Sequence, residues 1–219
     1  MQPKEWPWTS IGKINIDSVG HCTGALIESD LILTARHCLD NPRTKRLVTP
    51  RQVFFLAGYA RGEFAERIAI DHFELSTLPD PTADYAHNDD WALLRLSRKS
   101  KLTPIPLALL DMETIQRYAV EGVRFFRIGY PRERPHMMRV QPGCQIAGTT
   151  SDWRAVMFDC NVMTGESGGP VLMECGGHWR LVAMTTQYLS LNRQAMSFGI
   201  IPNVAELGVA SQAAVCPTE

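Results

Sequence analysis

Thr164-Gly165-Glu166-Ser167-Gly168-Gly169-Pro170 is the stretch on which the reading of this chain turns. A serine hydroxyl is a poor nucleophile at neutral pH. A chain that uses one exposes it on a tight turn, aims backbone N–H groups at the developing oxyanion and supplies a nearby base. Gly165 and Gly168 permit backbone conformations barred to residues with a Cβ, and the bare Cα of Gly165 lets a substrate carbonyl approach the amides of Gly165 and Ser167. An ordinary turn between strands has a similar composition, because Gly, Ser and Pro dominate turns for generic reasons. The context upstream therefore decides.

Leu31-Ile32-Leu33-Thr34-Ala35-Arg36-His37-Cys38 is an apolar, β-prone run that ends in a histidine beside a cysteine. Asp89-Asp90-Trp91-Ala92-Leu93-Leu94-Arg95-Leu96 sets a carboxylate directly before another apolar strand. The order is His, Asp, Ser, each at the edge of a strand, as in chymotrypsin-type enzymes and unlike subtilisins or α/β-hydrolases. With Cys22-Thr23-Gly24-Ala25-Leu26-Ile27, these blocks resemble the trypsin/chymotrypsin family of serine endopeptidases over nearly the whole chain. Pro7-Trp8-Thr9-Ser10-Ile11-Gly12-Lys13-Ile14 and Asp159-Cys160-Asn161 resemble its bacterial, glutamyl-endopeptidase-like branch.

The resemblance implies an all-β fold of two Greek-key β-barrels forming one peptidase unit. Residues 1–108 would carry His37 and Asp90, and residues 109–219 would carry Ser167. His37 is then the general base, Asp90 its orienting partner, Ser167 the nucleophile, and the amides of Gly165 and Ser167 the oxyanion hole. Asp89 is the rival carboxylate; Asp90 is preferred because it stands directly before Trp91-Ala92-Leu93-Leu94, matching the family's Asp-x-Ala-Leu-Leu pattern. His21, His72, His87, His136 and His178 have no such context and read as surface or structural residues.

The chain also departs from the trypsin pattern. Glu166 stands where trypsins carry an aspartate that pairs with a new N-terminus after zymogen cleavage; it can pair with an amine, pair with an arginine or face solvent. Asn161 occupies the position of trypsin's pocket aspartate, which argues against Arg or Lys preference. Thr185 falls where glutamyl endopeptidases place a histidine, so an acidic preference is not supported either. Thr186, Gln187, Tyr188, Phe198 and Gly199 complete the expected pocket, with Tyr188 and Phe198 narrowing it toward small or medium uncharged side chains. A catalytically silent homologue acting as a binding module, or an esterase, are the alternatives: a fold alone never proves chemistry.

Six cysteines bear on the compartment. The resemblance implies a Cys22–Cys38 disulfide tying down the histidine loop, worth about 3 kcal/mol on the chain-entropy estimate. Cys144 and Cys160 bracket the segment before the nucleophile turn and are similarly paired; Cys175 and Cys216 are left to each other by elimination. No C-x-x-C or H-x-x-x-H spacing appears, so no metal or other cofactor is expected. Disulfides point to a secreted or periplasmic protein. Met1-Gln2-Pro3-Lys4-Glu5 lacks the apolar stretch of a signal peptide, so a secreted chain would be a trimmed one.

The 219 residues, 45% hydrophobic and 21% charged, suffice for one or two substantial cores. A net charge of -1 gives no electrostatic case for nucleic acid or an anionic membrane surface, and no apolar run approaches membrane-spanning length. Protein or peptide substrates and a monomer are expected. Alternation and turn residues place strands at 11–16, 23–27, 31–34, 53–56 and 66–70, then at 123–129, 143–147, 155–160, 171–174, 179–186 and 197–201. Residues 41–50 and 79–88 read as loops, and 102–110, with Pro104 and Pro106, as the linker between halves. A short helical turn is expected at 112–118. A C-terminal helix is expected over 203–215, with Asn203 as N-cap and Glu206 three residues on.

Overall fold

The computed structural model describes residues 4–76, 90–149, 155–191, 194–200 and 211–213. The expected 79–88 loop, Asp89, Cys216 and most of the expected C-terminal helix lie outside them.

In the first half, strands β1 (Ile11–Ile16), β2 (Gly20–Glu28), β3 (Leu31–Thr34), β6 (Val53–Ala57), β7 (Glu66–Leu75) and β8 (Ala92–Leu96) close into a barrel in the order β1-β2-β3-β8-β7-β6. Every neighbouring pair is antiparallel. Val53, Phe55 and Ala57 alternate inward along β6, the period-2 pattern of a strand with one buried face. Ile14, Leu26, Ile32, Phe55 and Leu94 fill the barrel and are fully buried. A Cβ on Gly12 would lie 2.3 Å from the Phe55 ring, so a bare backbone makes room for that aromatic. The expected 41–50 loop is mostly exposed and holds a two-residue ladder between β4 (Asp40–Asn41) and β5 (Arg46–Leu47).

The second half begins inside the expected linker. Strand β9 (Leu107–Leu109) follows Pro106 and pairs parallel with β15 (His178–Leu191). Helix α1 (Met112–Glu121) is longer than the expected turn. The Asp111 side chain caps its N-terminus by accepting from Thr114 N–H, and Gly122 ends it in the left-handed region at φ +65°. Strands β10 (Phe125–Gly129), β11 (Arg139–Cys144), β12 (Ile146–Thr149), β13 (Ala155–Phe158), β14 (Pro170–Cys175) and β16 (Gln194–Ile200) join β15 in the order β11-β10-β14-β15-β16-β13-β12.

Two expectations are corrected here. One closed barrel is present; the second half is a nine-stranded sheet that does not close among the described residues. Residues 211–213 are not helical: β17 (Ser211–Ala213) pairs parallel with β9. The edge of β9 away from β15 would otherwise expose unpaired N–H and C=O groups, and this pairing outweighs the helical periodicity of the tail.

Phe125, Val156, Phe158, Val171 and Val182 centre the second core. Trp179 bridges the halves, its ring centroid 5.2 Å from Trp8 and 4.9 Å from Phe126, both edge-on. Disulfides Cys22–Cys38 and Cys144–Cys160 are formed; Cys175 ends β14.

Candidate active site

Strand register brings His37 to Asp90. Antiparallel pairing matches Thr34, the last residue of β3, with Ala92, the first of β8, so the chain just after β3 runs beside the chain just before β8. Arg36 N–H donates to Asp90 O at 3.2 Å, extending the ladder past its end. The Asp90 carboxylate then holds His37 twice: Oδ1 accepts from His37 N–H at 2.8 Å, and Oδ2 lies 2.5 Å from Nδ1. A proton on Nδ1 leaves Nε2 as the free base. Asp90 is buried, while the imidazole is 44% exposed. Burial acts to lower the imidazole's pKa; the hydrogen bond to Asp90 and the charges of Asp90 and Asp40 outweigh it, so the net shift is upward from 6.5.

The serine turn sits at the start of β14, clamped between the halves. Thr23 on β2 donates N–H to Ser167 O at 2.9 Å and Oγ1–H to Gly165 O at 3.0 Å, and Thr23 Oγ1 accepts from Tyr130 N–H at 2.9 Å. Gly168, at φ +78°, lies so close that a Cβ would fall 2.1 Å from Thr34 Oγ1. Gly165 has φ +96°, and a Cβ there would lie 2.6 Å from Tyr130 O. Gly168 N–H donates to Thr185 O and Gly169 N–H to Glu166 O. The N–H groups of Gly165 and Ser167 have no hydrogen-bond partner among the described residues, which leaves both free for an oxyanion. Cys38 Sγ spans the gap between the catalytic candidates, 4.0 Å from His37 Nε2 and 3.9 Å from Ser167 O. The Ser167 hydroxyl makes no hydrogen bond to Nε2; in serine nucleophile–base pairs that contact can be long outside the reacting complex.

Glu166 resolves to the arginine alternative. Its carboxylate is buried, with Oε2 2.9 Å from Arg127 Nη2, 3.3 Å from Arg139 Nη1 and accepting from Met163 N–H at 2.7 Å. Arg127 also donates from Nη1 to Asn161 O at 2.6 Å, so one guanidinium holds both the Ser167 turn, through Glu166, and the segment expected to wall the pocket. Burial pushes Arg127 down to about 10 against the upward pull of Glu166, which keeps it cationic at neutral pH. The sequence reading did not name Arg127. Its one signal was an arginine within the apolar run Phe125-Phe126-Arg127-Ile128.

Of the expected pocket residues, Thr185, Thr186 and Gly199 are buried, and Thr185 pairs with Gly199 across β15 and β16. The Thr185 and Thr186 hydroxyls have no partner among the described residues. The side chain of Asn161 is exposed, and its carbonyl is the anchored atom. Gln187 pairs with Phe198 and Tyr188 with Ser197 along the same ladder; the side chains of Gln187, Tyr188 and Phe198 are outside the described residues.

Comparison with known proteins bears on the fold and the family. A solved Glu endopeptidase superposes with a TM-score of 0.73 at 17% identity, over 94% of this chain and 90% of that one. A thermostable serine protease, AL20, from an extremophilic microorganism superposes with a TM-score of 0.65 at 19% identity, over 88% of this chain and 91% of that one. Identities this low establish a shared fold: chymotrypsin-like and mostly β, with one short α-helix among the described residues. A family model described as a trypsin-like peptidase domain matches residues 22–184, well over half the chain and inclusive of His37, Asp90 and Ser167. The chain belongs to the trypsin-like peptidase family and is a serine-type endopeptidase.

Proposed function

We propose that the protein hydrolyses peptide bonds through an acyl-enzyme formed on Ser167, with His37 as general base and acid and Asp90 as its orienting carboxylate. The observation that carries this reading is the double grip of Asp90 on His37, ring and backbone together, facing a serine turn whose Gly165 and Ser167 amides are unpaired. His37 Nε2 takes the proton from Ser167 Oγ as the oxygen attacks the substrate carbonyl, and the oxyanion is held by the Gly165 and Ser167 N–H groups. The same proton passes to the leaving amine, the C–N bond breaks, and water activated by His37 releases the acid. The barrel half that carries His37 and Asp90 and the half, beginning with β9, that carries Ser167 act as one peptidase unit, each contributing to the cleft.

The pocket accepts uncharged side chains. Asn161 and Thr185 supply no fixed charge, and the Thr185 and Thr186 hydroxyls, without a partner among the described residues, are polar groups that an uncharged side chain could meet. Two disulfides fit a secreted or periplasmic protein that works on peptide substrates as a monomer.

Incubation with an arylphosphonate or sulfonyl fluoride should add one adduct to the intact mass, mapping to Ser167, and Ser167→Ala should abolish both the adduct and peptide turnover. An unlabelled protein would favour the silent homologue, and turnover of esters with none of peptides would favour the esterase.

A further inference from the structure

On one side of the Ser167 turn the structure gathers basic side chains that have no carboxylate partner among the described residues. Lys13 on β1 and His21 on β2 are both only 8% exposed. Lys13 Nζ lies over the Tyr59 ring at 5.1 Å and reaches Pro135 O at 3.4 Å. His21 Nε2–H donates to Tyr130 O at 3.0 Å and would sit 3.0 Å from a Cβ on Gly165, directly behind a proposed oxyanion donor. Arg132 and His136 are exposed on the loop after β10, and Arg132 Nη2 lies beside Gly20, 3.7 Å from where its Cβ would be. Among the described residues none of these four has a carboxylate within 4.0 Å. Burial, then Lys13, Arg132 and His136, push His21 down to about 4, and its one opposing influence is the hydrogen bond to Tyr130.

This ground lies on the leaving-group side of the cleft. His37 Nε2 must hand its proton to the leaving amine, and the feature beside Nε2 is Cys38 of the Cys22–Cys38 disulfide, with His21 and Gly20 next along β2 from Cys22. The opposite flank of the turn is taken by β15, where Gly168 N–H meets Thr185 O. A substrate chain running away from the scissile bond therefore passes over Gly20, His21 and Arg132.

We infer that Lys13, Arg132 and His136, arrayed around His21, form a subsite for a carboxylate carried by one of the first two substrate residues after the scissile bond. The inference rests on the peptidase reading above. An incoming carboxylate finds the exposed Arg132 fork for bidentate contact, with the buried Lys13 ammonium adding to the field behind it.

The test uses quenched-fluorescent peptides with a mixed residue before the scissile bond and Glu, Gln or Lys at either of the two positions after it. A second set ends at those positions as the free acid or the amide, separating a side-chain carboxylate from a terminal one. Glu over Lys should favour kcat/KM by about tenfold, since an opposite charge replaces a like one at a partly exposed site. That ratio should fall toward one in Arg132→Ala, invert in Arg132→Glu and shrink in high salt. Both variants alter an exposed side chain. Efficient cleavage with Glu, Gln and Lys equal, and free acid equal to amide, overturns the subsite while leaving the peptidase intact. Failure to cleave any peptide, with no phosphonate adduct, overturns both.

Discussion

At the scale of single residues, the proposed mechanism has the pairing of Asp90 with His37 set the pH at which the enzyme works. The base must be neutral to accept the Ser167 proton, and the pKa of His37 in the folded protein is raised above 6.5. Activity is therefore lost as pH falls through that raised value, and the acid limb of kcat/KM should lie above the ordinary imidazole range. In Asp90→Asn the burial that opposes protonation loses its main counterweight, so the limb should move down. The rate should drop about 10⁴-fold as the ring loses its correct tautomer. A limb unmoved by the substitution in a pH–rate profile would remove Asp90 from its assigned role. His37, Asp90 and Ser167 were legible because each sits in a local pattern that covalent neighbours specify. Lys13 and Arg132 were not. Nothing in their flanking residues tells that β1 and the loop after β10 converge, and the cationic ground they form is a product of tertiary folding.

Among the elements, β10 shows where sequence patterns stop. Its apolar run was readable as a strand, yet the weight of Arg127 was not, because an arginine in a strand reads as an outward-facing residue until its partner is known. Glu166 and Asn161, well downstream, make it an anchor. Arg127→Met should leave the Glu166 carboxylate buried without its main cation, a change that costs about 3–5 kcal/mol in comparable sites. Arg127→Lys should rescue only part, because one ammonium cannot span both acceptors in the geometry of the fork. Thermal unfolding measures the stability loss. Peptide turnover should fall further than the folded fraction does if the pair positions the oxyanion amides, and in step with it if the pair is merely structural. The tail failed for a related reason. Ser211-Gln212-Ala213 has no strong local preference, and its pairing with Leu107–Leu109 depends on an edge formed by residues far away in sequence.

Across the whole molecule, the candidate site lies where the closed barrel meets the nine-stranded sheet, and Thr23 is one stitch between them. Its hydroxyl is fully buried, donates to Gly165 O and accepts from Tyr130 N–H. Thr23→Val keeps the shape and orphans both partners, each costing about 1–3 kcal/mol when buried unsatisfied. The variant should melt lower and, at temperatures where it is folded, lose kcat more than it gains KM, because Gly165 is freed to turn. Unchanged kcat in the folded variant would show that the oxyanion turn does not depend on the barrel.

The ion pair beneath Ser167 has a wider consequence. A carboxylate furnished with its cation by a neighbouring strand is neutralised as soon as the chain folds, whatever happens at the amino terminus. The buried charge of Glu166 is thus met from within the fold and needs no newly freed amine to balance it.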